Sequence, residues 1–204
     1  MEAPEIYHAL PLHIDPASKS ISSTDASLTT DLDDLNKLHR LLLTLETPNQ
    51  VPPPPVPVNP KRSAQITKMK DSGNAAFKKG DFNSAIQMYT MAIRMASERP
   101  AWEPSGLIRE ELSALYNNRA QAYMQIQGWA EAMVDAEVSV ECKRVGNVKA
   151  WFRRGQCLRE MGRLEEAREW VKSGVEFERA GPEKQNIGEL ETLGRELDKA
   201  MEKA

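Results

Sequence analysis

The chain has 204 residues, of which 28% are charged, and its formal net charge at pH 7 is −3. This length suffices for one domain of ordinary size and an appended segment. The nearly balanced charge argues against nucleic acid as the main partner, because nucleic-acid-binding proteins carry a strong basic excess. Its two cysteines, Cys142 and Cys157, form no CxxC pair, which is typical of a reduced intracellular protein.

The sequence contains no predicted membrane-targeting or membrane-spanning segment. Its first residues lack the basic start and the long apolar run of a secretory signal. No stretch approaches the roughly 20 apolar residues that span a bilayer. We therefore expect a cytosolic protein without direct membrane insertion, which another protein must hold in place if it works at a membrane.

Residues 1–46 predict a small strand-plus-helix segment. His8, Leu10, Leu12 and Ile14 occupy alternate positions, which favours a short strand, and Ile21 is expected to begin its hairpin partner after the turn-like DPASKS. A helix is predicted from Asp31 to Glu46, with Asp31 in an acidic first turn. Leucines at helical spacing give this helix one apolar stripe: Leu32, Leu35, Leu38, Leu42 and Leu45.

This leucine stripe needs a surface to pack on, because a strand and one amphipathic helix cannot bury a core by themselves. It either folds back on the rest of the chain or docks on a partner subunit. The tract TPNQVPPPPVPVNP, Thr47 to Pro60, excludes helix and central strand and predicts polyproline II, at about 3.1 Å per residue. Such a semi-rigid spacer holds the two parts apart and so favours docking on a partner. The tract is either a plain linker or a ligand for a proline-binding domain.

Residues 61–204 contain three copies of one pattern. Each copy has a small residue at the same place: the second lies 47 positions after the first, and the third lies 35 positions after the second. Each of these small residues is followed twelve positions later by an alanine. The small residues are Gly73, Ala120 and Gly155, and the alanines are Ala85, Ala132 and Ala167. Each copy therefore predicts two helices that cross closely at small side chains.

A glycine is predicted to end the first helix of each copy in a left-handed conformation. These glycines are Gly80, Gly128 and Gly162, and the second helices begin at Phe82, Trp129 and Leu164. Extra residues from Ser97 onward separate the first two copies and contain helix-breaking prolines. We expect this insertion to lengthen the end of the preceding helix or the turn after it.

A last helix is predicted from Pro182 to the C-terminus. Its apolar residues share one face: Ile187, Leu190, Leu193, Leu197 and Met201. A solenoid of three repeats needs such a helix to cover its final apolar surface.

This pattern resembles the tetratricopeptide repeat family, whose period is about 34 residues. The resemblance covers roughly residues 63–179 and implies an all-α fold. We predict three repeats forming a right-handed helical solenoid with a C-terminal capping helix, preceded by the small strand-plus-helix segment. The domains would be a partner-docking segment at 1–46, a proline-rich linker at 47–60 and the repeat domain at 61–204.

Five polar residues lie on the predicted first helices of the repeats, which line the concave groove in this architecture. They are Lys70, Asn74, Asn118, Lys149 and Arg153. Lys70 and Asn74 are spaced i,i+4, as are Lys149 and Arg153. Because the three helices are adjacent, all five side chains can converge. Three cations and two amides suit a ligand with several carboxylates, such as a peptide ending in Asp.

The five residues resemble the two-carboxylate clamp of tetratricopeptide co-chaperones. The family motif KxxGN corresponds to Lys70–Asn74, and its second-repeat Asn-Arg pair corresponds to Asn118 and Arg119. Lys149 and Arg153 match the third-repeat pair. The resemblance implies that the ligand is the acidic C-terminal tail, ending Glu-Glu-Val-Asp, of cytosolic seventy-kilodalton heat-shock chaperones.

The resemblance also implies a role for each clamp position. Lys70, Asn74 and Asn118 would hold the terminal carboxylate of the tail. Lys149 would meet the Asp side chain, and Arg153 the peptide backbone or the upstream side. Phe77, Met124 and Gln156 are predicted either as core residues, which is the commoner role, or as contacts for apolar residues of the tail.

The layout of the chain resembles the soluble tetratricopeptide subunits of the fungal post-translational translocation complex of the endoplasmic reticulum. That resemblance implies that residues 1–46 bind a membrane-anchored sister subunit on the cytosolic face, where the groove recruits chaperones with precursor proteins. A free cytosolic co-chaperone and a structural scaffold are the alternatives. The sequence shows no phosphate loop, no nucleophile elbow and no His–Cys pair at metal-ligand spacing. We therefore predict that the protein is not an enzyme and binds no cofactor or metal ion.

Overall fold

A computed structural model describes residues 9–45, 47–55, 58–181 and 187–202. Contacts divide the chain into two compact units: an N-terminal unit that also includes Pro100–Glu103, and a helical unit of Val58–Arg99 and Pro104–Ala204. The predicted domain limits at 46 and 60 stay predictions.

The N-terminal unit begins with a β-hairpin. Strands β1 (Leu12–Ile14) and β2 (Ile21–Ser23) pair antiparallel, with Ile14 opposite Ile21. Between them, the Asp15 side chain accepts hydrogen bonds from two backbone amides and stabilises the turn. The predicted hairpin is confirmed with shorter strands, and His8 lies outside the described residues.

Helix α1 (Thr29–Leu43) follows a 3₁₀ turn at Ala26–Leu28. The helix begins two residues before the predicted Asp31. The Asp25 side chain accepts a hydrogen bond from the Ser27 backbone amide, and this contact starts the 3₁₀ turn that leads into the helix. The helix ends at Leu43, and Thr44 and Leu45 are not helical, so the prediction that it continues toward Glu46 was wrong; Glu46 itself lies outside the described residues. Asn36 joins α1 to β2, since its side-chain amide donates to and accepts from the Ile21 backbone at 2.8 Å.

The proline tract departs from the prediction at both ends. Pro48–Gln50 forms a 3₁₀ turn, with positive φ angles at Asn49 and Gln50. Pro60 is the first residue of a long helix whose N-cap is the Asn59 side chain. Proline fits this position because the first turn of a helix requires no intrahelical N–H donor. The prediction that the whole tract excludes helix was therefore wrong.

The helical unit consists of consecutive antiparallel helices. They are α2 (Pro60–Lys78), α3 (Phe82–Ser97), α4 (Ser105–Gln125), α5 (Trp129–Cys142), α6 (Val148–Glu160), α7 (Leu164–Ala180) and α8 (Gly188–Met201). Each helix packs mainly on the next, and α8 also packs on α6. This confirms the all-α tetratricopeptide fold.

The six small residues of the repeat pattern are all buried where helices cross. A Cβ atom on Gly73 would lie 2.6 Å from Tyr89 Cε1, and one on Gly155 would lie 2.6 Å from Val171 Cγ2. Larger side chains are therefore excluded at these two crossings. The predicted close approach of the paired helices is confirmed.

The turn glycines follow the prediction in two repeats. Gly80 and Gly162 have φ angles of +79° and +76°. Gly128 has a φ of −75°, and Gln127 takes the left-handed conformation. The prediction for Gly128 was wrong because the left-handed residue comes seven positions after the small residue in every repeat, and Gly128 comes one position later.

The insertion does not lengthen α3, which ends at Ser97. A connection follows, and α4 starts at Ser105 and extends for 21 residues. Within the helical unit, the guanidinium of Arg99 makes two hydrogen bonds to the Glu111 carboxylate and one to Ser63 Oγ. This buried ion pair fixes the end of α3 against α2 and α4.

Helix α8 covers the end of the solenoid. Leu190, Leu193 and Leu197 are buried and join the core formed by α6 and α7. The predicted capping role is confirmed, although the helix begins at Gly188 and Pro182 lies outside the described residues.

Candidate functional site

The middle of α4 faces both neighbouring first helices. Asn118 Nδ2 donates to Asn74 Oδ1 on α2 at 3.3 Å. Tyr89 Oη donates to the same oxygen at 2.8 Å, and burial raises the pKa of this phenol. Because the Asn74 oxygen already accepts two hydrogen bonds, its NH₂ group is left to donate to a ligand.

Arg153 approaches α4 from the other side. Its guanidinium donates to Gln121 Oε1 at 2.7 Å and to Asn117 Oδ1. Burial lowers the pKa of Arg153 to about 10, so the side chain stays cationic at neutral pH. Two neutral amides therefore orient the arginine and leave its charge uncompensated.

Lys149 lies one turn before Arg153 on α6 and is exposed. Both residues line a concavity of about 760 Å³ between α4, α6 and the start of α8. Its lining also includes Asn117, Gln121, Met124, Trp129, Phe152, Gln156 and Glu189. A smaller concavity of about 170 Å³ lies beside it and is lined by Asn74, Phe77, Lys78, Tyr89, Asn118 and Gln121. Gln121 is common to both, so together they form one groove.

Four of the five predicted clamp residues thus line the groove, and Lys70 does not. Lys70 lies on α2 one turn before Asn74 and is half-buried. Neither Lys70 nor Lys149 has a carboxylate within ion-pair distance in the part of the chain that the structure describes. The groove lining therefore holds Lys78, Lys149 and Arg153 against one carboxylate, Glu189, and this excess of positive charge suits an anionic ligand.

The three predicted apolar contacts also lie at this groove. Phe77 lines the smaller part and packs edge-on against Phe82, with ring centroids 5.3 Å apart. It therefore combines a packing role with exposure to the groove. Met124 and Gln156 line the larger part.

Sequence reasoning missed several groove residues, among them Asn117, Gln121 and Tyr89. Asn117 and Gln121 are i,i+4 on α4, and Met124 follows Gln121 by three residues. A groove-facing stripe on α4 could therefore have been found from helical spacing alone. Nothing in the sequence around Tyr89 indicated its hydrogen bond to Asn74, because Tyr89 lies on the second helix of its repeat.

A buried carboxylate fixes the start of α6, where Lys149 lies. Glu178 on α7 accepts hydrogen bonds from the backbone amides of Gly146, at 2.9 Å, and Asn147, at 2.7 Å. The Asn147 side chain donates to the carbonyl oxygens of Ser139 and Lys143 on the preceding helix and its end. These contacts hold the α5–α6 connection in one position.

Arg119 follows Asn118 as in the family motif but has a structural contact set. Its guanidinium binds both carboxylate oxygens of the buried Asp135, at 2.7 and 2.8 Å. It also donates to Thr90 Oγ1 on α3. Burial raises the pKa of Asp135, and the Arg119 hydrogen bonds oppose that rise. Arg119 therefore ties α4 to α3 and α5.

Four of the five leucines of the predicted docking stripe lie on α1 of the N-terminal unit, and Leu45 lies two residues beyond its end. Leu35 is 45% exposed, and Leu32, Leu38, Leu42 and Leu45 are half-buried. In the described part of this unit no residue is fully buried. Exposed apolar side chains also occur in the hairpin at Leu12 and Ile14. The unit thus leaves much apolar surface uncovered.

Neither a membrane span nor a metal site is found in the described ranges. Among these residues no helix combines the length and apolar character that crossing a bilayer requires. Likewise, no group of three or more His, Cys, Asp or Glu side chains within them is placed to hold a metal ion.

Known proteins resemble the chain in sequence. Residues 148–180 match the family model described as a tetratricopeptide repeat. The ER protein translocation subcomplex subunit sec67 of Schizosaccharomyces pombe is 35% identical over 143 residues, which are 69% of this chain and 74% of that protein. The chain belongs to the tetratricopeptide family that includes sec67.

Solved structures share the fold of this family member. A chain in the cryo-EM structure of the Sec complex from Saccharomyces cerevisiae has a TM-score of 0.73 at 23% identity, covering 94% of this chain and 98% of that chain. The second tetratricopeptide domain of human RPAP3, solved with the HSP70 peptide SGPTIEEVD, has a TM-score of 0.52 at 26% identity. That match covers 67% of this chain and 98% of the RPAP3 domain.

Proposed function

We propose that this protein is an adaptor that binds the acidic C-terminal tail of cytosolic seventy-kilodalton heat-shock chaperones and recruits them, with precursor proteins, to the endoplasmic-reticulum translocation complex. The observation that carries this proposal is a groove with cationic and amide donors on the first helices of three successive repeats. Among the residues that the structure describes, no carboxylate pairs with either clamp lysine, Lys70 or Lys149. The peptide-bound RPAP3 domain of the same fold supports it.

The groove geometry suggests how the tail lies. The free NH₂ group of Asn74 and the Asn118 amide would donate to the terminal carboxylate, with Lys70 adding charge from the preceding turn of α2. Lys149 would pair with the side chain of the last Asp. Arg153, already oriented by Asn117 and Gln121, would bind the peptide backbone or an upstream side chain.

Tail binding is tested with the fluorescently labelled peptide SGPTIEEVD and anisotropy measurements. We expect a Kd near 10 μM, or roughly −7 kcal/mol, because ordering a short tail offsets part of its contacts. Lys149→Ala and Arg153→Ala should abolish binding and leave the helical circular-dichroism signal unchanged. Lys172→Ala removes an exposed lysine on α7 and serves as the matched control. Undiminished binding of a peptide without its final Asp would contradict the proposal.

The second half of the proposal concerns attachment. The sec67 relative and the uncovered apolar surface of the N-terminal unit support docking of residues 1–46 on a membrane-anchored sister subunit. The protein would then be peripheral on the cytoplasmic face of the endoplasmic reticulum. Tethering would raise the local concentration of a weakly bound chaperone, so modest affinity would suffice.

Attachment is tested by cosedimentation of the full chain with endoplasmic-reticulum microsomes. Leu35→Asp should abolish cosedimentation without changing peptide affinity, because it places a charge in the predicted docking stripe. Lys37→Ala, an exposed neighbour on the same helix, should have no effect. Peptide binding without any membrane association would instead support a free cytosolic co-chaperone.

A further inference from the structure

Helix α8 contributes a carboxylate to a groove that is otherwise lined by cations, amides and apolar side chains. Glu189, in the first turn of α8, lines the same concavity as Lys149 and Arg153. A second, shallower concavity between α6 and α8 shares Phe152 and Glu189 with it. The groove therefore continues past Arg153 along the face of α8.

The charge at this end of the groove differs from that at the clamp. Glu196, the other carboxylate of the shallower concavity, pairs with Arg159 at 2.9 Å. Glu189 is exposed and has no ion-pair partner among residues 9–45, 47–55, 58–181 and 187–202. Beside it, Phe152 is half-buried and Leu193 is buried. This end thus combines an apolar floor with a negative charge.

We propose that Glu189 makes the groove selective for the peptide residue that directly precedes the apolar residue of the tail, which is X in the sequence XIEEVD. A basic side chain at X is favoured and an acidic one is disfavoured. The inference rests on the proposed function, in which the terminal carboxylate lies near Asn74 and Asn118. An extended peptide that is followed from this terminal carboxylate toward its N-terminus passes Arg153 on α6 and then reaches α8. Its apolar residue would pack near Phe152, which brings the preceding residue next to Glu189.

The test uses three peptides, SGPXIEEVD with Thr, Arg or Glu at X, and anisotropy at low salt. The wild type should bind the Arg peptide about threefold more tightly, and the Glu peptide about threefold more weakly, than the Thr peptide, as for exposed charge pairs. Glu189→Gln should remove this ranking, and Glu189→Lys should reverse it. Glu165→Gln is the matched control, because Glu165 is an exposed carboxylate in the first turn of α7 and does not line the groove.

The ratio between peptides is the decisive quantity. Glu189 also lies near the positive end of the α8 dipole, so its loss can lower helix stability, but that effect changes the affinity for all three peptides equally. Equal affinities of the wild type for the three peptides, or an unchanged ranking in Glu189→Gln, would overturn this inference and leave the clamp intact. Failure of all three peptides to bind would overturn both proposals.

Discussion

Arg153 donates a 2.7 Å hydrogen bond to Gln121 Oε1, and the two residues lie 32 positions apart on helices of different repeats. A neutral amide thus orients the buried cation of the groove. A carboxylate in its place would orient the arginine equally well but would also neutralise it. The choice of glutamine therefore keeps the positive charge available for a ligand.

Gln121→Glu should weaken binding of the SGPTIEEVD peptide at least tenfold. The new carboxylate would pair with Arg153 and repel the acidic tail at the same time. Anisotropy measures the affinity. Gln87→Glu makes the same change at an exposed position of α3 and should leave it unchanged. Equal loss in both variants would indicate a general charge effect and would contradict the specific role of Gln121.

Gly73→Ala should lower the free energy of unfolding by about 1–3 kcal/mol, because the added Cβ would lie 2.6 Å from the Tyr89 ring and force it to move. Displacement of Tyr89 would also break its hydrogen bond to Asn74 and weaken tail binding. Urea unfolding measures the stability. Gly106→Ala on α4 is the control, because the Cβ that it adds would have no neighbouring atom within 4 Å. A Gly73→Ala protein as stable as Gly106→Ala would show that the crossing of α2 and α3 is not close.

Glu178→Ala should destabilise the protein by about 1–3 kcal/mol, because the buried amides of Gly146 and Asn147 would lose their acceptor. The start of α6 would then be less fixed, so the tail affinity should fall as well. Chemical denaturation and anisotropy measure the two effects. Glu176→Ala removes an exposed carboxylate from the same helix and should change neither.

The Cys157 thiol should resist alkylation in the folded protein. Burial raises its pKa to about 12, and only the thiolate reacts, so at pH 8 almost none of it is reactive. Raising the pH should speed labelling, since the thiolate fraction grows toward that pKa. Mass spectrometry after iodoacetamide treatment should show Cys142, which is half-buried, modified before Cys157. Rapid labelling of Cys157 without denaturant would mean that α6 opens readily.

Much of the repeat architecture was predictable because its signals are local. Small residues such as Gly73 and Ala85 recur at fixed spacing, and each marks a crossing between helices that are neighbours in sequence. The same alignment was one residue out at Gly128. In every repeat the helix ends with a left-handed residue seven positions after the small residue. In the second repeat that residue is Gln127 and not the neighbouring Gly128.

The candidate groove was predictable in part. Asn74, Asn118, Lys149 and Arg153 followed from the repeat register and the family pattern, and the structure places them along one groove. Lys70 has the predicted spacing but lies outside the lining. In the N-terminal unit the hairpin and helix were visible as local patterns. The hydrogen bonds of Asn36 to the Ile21 backbone were not, because they join residues of different elements.

The sequence by itself determined the number of repeats, most of the helices and four residues of the candidate groove, since periodic small and apolar residues specify helices and their nearest neighbours. Only the tertiary structure decided how the groove cations are held. The contacts of Arg153 with Gln121, of Tyr89 with Asn74 and of Glu178 with the start of α6 join side chains on different helices. Such contacts depend on the distance and rotation between packed helices, which no local pattern specifies.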